Sequence, residues 1–417
     1  MPSRWPRLIA RGVLAAVLVA APACGAANHP AQPASRPSVS ASAATPSAVP
    51  PTPTASPTVP ATPTPAPPPQ TPTPAACTAA GVLATWSLQR LAEQTVAVPV
   101  QESDVSAVNA EVAAGAGGVL LFGSQAPSNL GSALAALAAR APGGIAPLVM
   151  TDEEGGVIQR MADLAGSMPS AREMGATMTP AQIETLATQV GQRMKAAGVT
   201  MNLAPVLDLD GGPGPSDADP DGTRSFSADA SVATADGLAF AAGMRAAGVV
   251  AVAKHFPGLG GATANPDAST ASTLPWSVLQ DGALLPYRSA IAAGIPAVMV
   301  ADANVPGLTT LPAALSPAVV TGVLRTQLGF SGLVLTDSLS AVSVSAAGYS
   351  VPQASAAALA AGADMVLFNG DAATIPALTA QTVQAVAAAV QSGRLSRSRL
   401  ETAVLHILTA KHVALCP

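Results

Sequence analysis

Short apolar runs recur along this chain at 96–100, 118–122, 147–151, 199–203, 249–253, 297–301, 333–336 and 365–368. Runs of this length read as strands buried on both faces. Between them stand Ala-rich stretches with apolar residues at helical spacing, at 132–140, 180–197, 231–247, 280–293 and 317–327. Alternating buried strands and helices imply a parallel sheet, because a parallel neighbour is reached only through a crossover. Eight such units predict an α/β fold of one (β/α)8 TIM-like barrel, in preference to an open doubly wound sheet. The first run is the weakest, since Pro99 lacks a ladder donor. Residues 379–415 read as two closing helices, with 394–399 between them or opening the second.

The residues that follow these runs are polar, and in a barrel they share the C-terminal rim where active sites of this fold lie. Asp152, Glu153, Glu154 and Arg160 follow the third run, and Asn202 and Asp208 belong to the fourth and its exit. Lys254-His255 ends the fifth and releases the chain through Pro257, Gly258, Gly260 and Gly261 into a loop that carries Asp267. Asp302 and Asn304 follow the sixth run, Asp337 and Ser338 the seventh, Asn369 and Asp371 the eighth.

That set narrows the chemistry. His255 is the only histidine between His29 and His406, so no metal site is expected. The glycines match neither a dinucleotide fingerprint nor a phosphate-binding loop, so no cofactor is expected. A net charge of -5 with 19 Lys and Arg argues against a nucleic-acid partner. Carboxylates mixed with Arg, Lys, His and Asn suit sugar hydroxyls, and a carboxylate is the usual nucleophile or base in glycoside cleavage. Taken singly, Asp337 could instead cap a helix, Asp152 and Arg160 could form a rim salt bridge, and His255 could be a packed core histidine.

The ends of the chain have another composition. Residues 1–27 carry Arg4, Arg7 and Arg11, an apolar run of about ten residues and then Cys24, the form of an export signal too short to span a bilayer. The residues before Cys24 are similar to a bacterial lipobox, which implies a lipid anchor at Cys24; the alternative is cleavage to a secreted protein. Residues 28–76 are rich in Pro, Ala, Ser and Thr and read as a disordered tether. In an exported chain the two remaining cysteines, Cys77 and Cys416, suggest a disulfide across the whole of domain 77–417, with two unrelated thiols as the alternative.

The stretch from Asp152 to Arg160, DEEGGVIQR, resembles the D-x-E-G-G-x-V-x-R signature of glycoside hydrolase family 3, with Ile158 in place of Val. Thr223-Arg224-Ser225-Phe226, Lys254-His255-Phe256-Pro257-Gly258, the segment LPAALS at 311–316 and TDSLS at 336–340 follow in that family's order. The resemblance implies the single-barrel β-N-acetylglucosaminidase branch: a monomer that hydrolyses terminal β-linked N-acetylglucosamine, plausibly in cell-wall fragments, with retention of configuration. It implies Asp337 as the nucleophile, and Asp152, Arg160, Arg224, Lys254 and His255 as the residues that hold the sugar hydroxyls. The membrane would be met only through the lipid.

One departure stands out. That branch uses a histidine in a D-x-H element as general acid/base, but here Asp267-Ala268 is followed by Ser269, and no histidine lies between Phe256 and Leu405. Asp267, or less readily Asp302, could supply the acid; a slow enzyme could remain without one; or the domain could bind surface glycans without turnover.

Overall fold

The computed structural model describes residues 77–416. The export signal with Cys24 and the 28–76 tether fall outside the described residues. The eight strands are β1 (Val96–Gln101), β2 (Gly118–Phe122), β3 (Leu148–Thr151), β4 (Met201–Asn202), β5 (Val250–Phe256), β6 (Ala297–Val300), β7 (Leu333–Ser338) and β8 (Met365–Leu367). Each pairs in parallel with its sequence neighbours, and β8 closes on β1 through Val96↔Val366 and Ala97↔Leu367. The (β/α)8 barrel expected from the alternation is therefore present.

Pro99 is accommodated by register. Thr95 accepts from the Val366 N–H, so alternate residues Ala97 and Pro99 face β8, and that ladder ends at Ala97. The donor that proline lacks falls where no partner strand continues.

Two apolar layers hold the barrel. Inside, Leu120, Met150, Met201, Val252, Met299, Leu335 and Leu367 fill the strand interior, and Ile407 of the last helix reaches the same cluster. Outside, the opposite strand faces meet the helix shell. The helices Pro180–Ala196 and Ala230–Ala246 pack closely, because a Cβ at Gly243 would lie 2.5 Å from the Glu184 carbonyl oxygen. Thr179 and Gln182 form a capping box that starts the first of these helices at Pro180. The helices Ile375–Gln391 and Arg397–Ala410 are the two closing ones. The 317–327 stretch is wound as a π-helix over Ala318–Gln327. Among the described residues no helix is long and apolar enough to cross a membrane.

Two strand ends differ from the sequence expectation. Strand β5 runs on through Lys254, His255 and Phe256, and β7 through Asp337 and Ser338, because backbone pairing continues after the side chains turn polar. Run 199–203 contributes only Met201–Asn202 to the ladder.

Below the barrel, Asp364 is fully buried between Arg325, 2.6 Å away, Arg399, and His406 at 3.0 Å. Burial opposes its charge, but the His406 hydrogen bond and the two arginines outweigh it and hold the carboxyl below its usual range. Cys77 and Cys416 are joined by a disulfide with Cα atoms 5.8 Å apart, tying the start of the domain to its end.

Candidate active site

A cavity of about 500 Å³ opens at the C-terminal rim. Asp152, Arg160, Arg224, Lys254, His255, Asp267 and Asp337 all line it, although they come from five separate segments of the chain.

The floor is an ion network. Lys254 lies 2.6 Å from both Asp152 and Glu154, and Arg224 grips Glu154 with two hydrogen bonds of 2.9 and 2.8 Å. Glu154 is buried, which opposes its charge, yet Arg224 and Lys254 prevail and its carboxyl lies well below the usual range. Burial likewise opposes the charge on Arg224 and Lys254, and their carboxylate partners raise both. This network fixes two cations whose remaining N–H groups can meet sugar hydroxyls. The rim salt bridge between Asp152 and Arg160 does not form: Asp152 pairs with Lys254, and among the described residues Arg160 has no salt bridge. Arg160 stands over the Phe122 ring at 5.9 Å, a third cation at the cavity.

The short hairpin Glu153–Gly155 and Ile158–Gln159 sets this floor in place. Glu153 points the other way from Glu154. It accepts from the backbone N–H of Arg160 and Met161 and from the Gln159 side chain, so it braces the hairpin. Gly155 can turn this corner only as glycine: φ is +109°, and a Cβ would meet the Pro169 carbonyl oxygen at 2.2 Å.

His255 is held from beneath. Its Nδ1 lies 2.7 Å from Asp208, whose other oxygen accepts from the Leu259 N–H at 2.8 Å and the Tyr287 hydroxyl at 2.9 Å. Arg224 Nη2 sits 3.2 Å from Nε2 and can only donate, which assigns the ring proton to Nδ1, facing Asp208. Asp221 lies 3.8 Å from both Arg224 and His255, with no hydrogen-bond partner among the described residues. Burial, and then the charge of Asp208, push its carboxyl well above the usual range. Asp208, Asp221 and His255 bring ligand atoms within 4.8 Å of one another. A metal fits poorly there, since the Nδ1 proton and Asp208 already engage each other and Arg224 stands beside Asp221.

Asp337 ends β7 at the cavity wall, one carboxylate oxygen accepting from the Ser338 N–H at 2.8 Å. Across from the cation floor the loop from Asn265 brings Asp267 to the same cavity, with its N–H held by the Asn265 side chain at 3.0 Å. Partial desolvation of its carboxyl, and then the Asp337 charge, raise Asp267 to about 6, with His255 and Arg224 opposing. Its side chain stays open to the cleft, so water screens part of this and the direction is upward. Ser269 does not line the cavity; its hydroxyl faces the Thr270 carbonyl. Asp302 lies behind the loop, outside the main cavity.

A carboxylate at a strand end, a second one with raised proton affinity on a facing loop, and fixed cations below form the arrangement of a glycosidase. The family model for the N-terminal domain of glycosyl hydrolase family 3 matches residues 94–410. The chain belongs to glycosyl hydrolase family 3. This family 3 chain is a glycosidase that hydrolyses O-glycosyl bonds. It is 36% identical over 303 residues to β-hexosaminidase LpqI of Mycobacterium tuberculosis, covering 71% of this chain and 75% of that protein. The solved structure of a family 3 glycosyl hydrolase from Mycobacterium smegmatis aligns with a TM-score of 0.70 at 35% identity, covering 79% of this chain and 98% of the other. The β-N-acetylhexosaminidase of Beutenbergia cavernae aligns with a TM-score of 0.71 at 33% identity, over 79% of this chain and 100% of the other.

Sequence reasoning singled out the residues facing the cavity but passed over those that hold them. Glu154 sat unassigned inside the quoted signature. Asp221 and Tyr287 come from a loop and a helix with no motif of their own. The signal for Tyr287 was its rarity, as one of two tyrosines in the chain, since a buried Tyr needs a partner for its hydroxyl.

Proposed function

We propose that this chain is an exported, retaining β-N-acetylhexosaminidase that removes terminal β-linked N-acetylglucosamine, with cell-wall fragments as its source of substrate. The observation that carries the mechanism is that Asp337 and Asp267 line one cavity, with Asp267 raised towards neutrality. In the first step the Asp337 carboxylate forms a bond to the anomeric carbon while the glycosidic C–O bond breaks. Asp267 gives its proton to the departing oxygen. In the second step water attacks that carbon, the bond to Asp337 breaks, and Asp267 takes the water's proton, so the proton count closes. Lys254, Arg224, Arg160 and Asp152 hold the sugar hydroxyls, and His255, engaged by Asp208 and Arg224, keeps Arg224 in place among them. The substrate assignment rests on the names of the relatives, and the export assignment on residues 1–27. Cys24 is the proposed site of lipid anchoring, and the folded domain acts as a monomer.

Ser269 favours a second reading, a tethered domain that binds wall glycans with little or no turnover. Hydrolysis of an aryl β-N-acetylglucosaminide by the whole chain separates the two. Activity lost in Asp337→Ala, and weakened in Asp267→Asn far more for a sugar leaving group than for an activated aryl group, supports the enzyme. No turnover of any aryl substrate by the wild-type chain, together with binding of wall fragments, overturns it.

A further inference from the structure

Behind the Asp267 loop is a second, smaller cavity of about 160 Å³, lined by Thr270, Asp302, Asn304, Thr310 and Ser343 among others. Asp302 is 1% exposed and Ser343 6% exposed. Among the described residues, neither Asp302 carboxylate oxygen, nor Asn304 Oδ1, nor Ser343 Oγ has a hydrogen-bond partner. Unpartnered buried polar atoms are costly, and several on one small cavity mark a place built to take water or another polar group. The loop that carries Asp267 contributes Thr270 and Ala271 to the lining of this space. Pro266 accepts from the Ser343 N–H at 3.1 Å, and Asn304 exchanges backbone hydrogen bonds with Ala271 and Thr273.

We propose that Asp302 is a positioning residue for the acid/base, keeping its own proton and donating it as a hydrogen bond, through water in the rear cavity, to Asp267. This inference rests on Asp267 being the acid/base. Two observations favour a neutral Asp302. No Lys, Arg or His lines the rear cavity, and among the described residues no cation lies within salt-bridge distance of Asp302. Burial and the charges of Asp337 and Asp267, the titratable groups that face it, raise its proton affinity far above the usual range. Asp267 itself faces Asp337, His255, Arg224 and Asp152. With Asp302 neutral, no further charge is added beside Asp267. When Asp267 has given up its proton, the donor from Asp302 steadies the new carboxylate until it accepts a proton from the attacking water. No net proton leaves Asp302 in the cycle.

The test is steady-state kinetics on an activated aryl β-N-acetylglucosaminide, where departure of the aryl group is fast and the water step limits kcat. Asp302→Ala removes the donor: kcat falls about tenfold, kcat/KM changes little, and the acid limb of the kcat profile moves up by as much as one pH unit. Asp302→Asn keeps a neutral donor and is expected to retain the wild-type profile. Infrared difference spectra read the proton directly: a buried carboxylic-acid carbonyl band present in the wild-type protein is absent from Asp302→Asn, even if Asp302→Ala folds poorly. The proposal is overturned if that band is missing, if Asp302→Asn moves the acid limb downward as removal of a charge would, or if Asp302→Ala lowers kcat and kcat/KM alike. A wild-type acid limb that survives Asp267→Ala would instead sink the assignment of Asp267.

Discussion

Glu154→Gln is the most searching test of how the floor of the site is held. The substitution keeps shape and volume but puts an amide where a buried carboxylate serves Arg224 and Lys254 at once. Breaking a buried pair by neutralising one partner costs about 3–5 kcal/mol, because the other charge is left uncompensated. Asp152 remains beside Lys254 and compensates one of the two cations, so the expected cost is near the lower figure, about 3 kcal/mol. Roughly 2.1 cal/mol/K per residue over the 340 described residues makes the unfolding entropy about 0.7 kcal/mol/K, so Tm falls by about 4 °C. Loosening two charged donors to the sugar, at about 1.5–3 kcal/mol, lowers kcat/KM by about 10–100-fold. Differential scanning calorimetry and steady-state kinetics read both effects. The sign with pH follows from a carboxyl held below its unfolded value of 4.5: its stabilisation is complete above that pH and lost only as pH falls through the lower folded value. The gap between wild type and variant should therefore be level from pH 6 to 8 and close only in strong acid. A Tm within about 1 °C of wild type, with kcat/KM within about twofold, would refute the reasoning.

Three further perturbations follow. Asp364→Asn leaves Arg325, Arg399 and His406 around a neutral amide under the barrel, and is expected to cost about 3–5 kcal/mol in urea unfolding without changing KM. Because its folded carboxyl also lies below the usual value, that difference is lost only towards acid pH. Cys77→Ser, or reduction of the disulfide, opens a loop with a sequence separation of 339; chain entropy sets a ceiling of about 6 kcal/mol, and a loss of about 2–5 kcal/mol in denaturant is expected with the catalytic constants intact. Tyr287→Phe removes the 2.9 Å hydrogen bond to Asp208 and is expected to lower kcat/KM about tenfold or more as His255 loosens, while Lys254 and Arg224 keep their partners.

Much of this was legible in the sequence because two periodicities carry it. Apolar runs of strand length gave the barrel, and the polar residues just beyond them gave the rim that became the cavity wall. The readings failed where an apolar pattern stood in for backbone pairing: β5 continues through Lys254 and His255, whose side chains, not their backbone, have changed environment. Three neighbouring carboxylates, Asp152, Glu153 and Glu154, also look alike in the chain. Only the hairpin register sends Glu154 to the cations and Glu153 to the backbone N–H groups of Arg160 and Met161. The lack of any partner for Asp302 is a fact of three-dimensional placement, and no spacing in the sequence encodes it.

The site divides its charges into two regimes, and the division accounts for its chemistry. On the floor, carboxylates and cations are matched, Asp152 and Glu154 with Lys254 and Arg224, so these groups keep their geometry whether or not a sugar is bound. At the other wall, Asp267 and Asp337 on its cavity face and Asp302 behind it stand close enough to feel one another, with no cation in salt-bridge contact among the described residues. Like charges left without counter-ions cannot all ionise, so protons must remain on this wall at neutral pH. A glycosidase needs that asymmetry, one carboxylate free to attack and another still holding a proton, and environment alone can set the two apart. Histidine supplies the proton in the family pattern that this chain resembles. With Ser269 in that position, the mechanism proposed above has crowded aspartates meet the same requirement where the cations end.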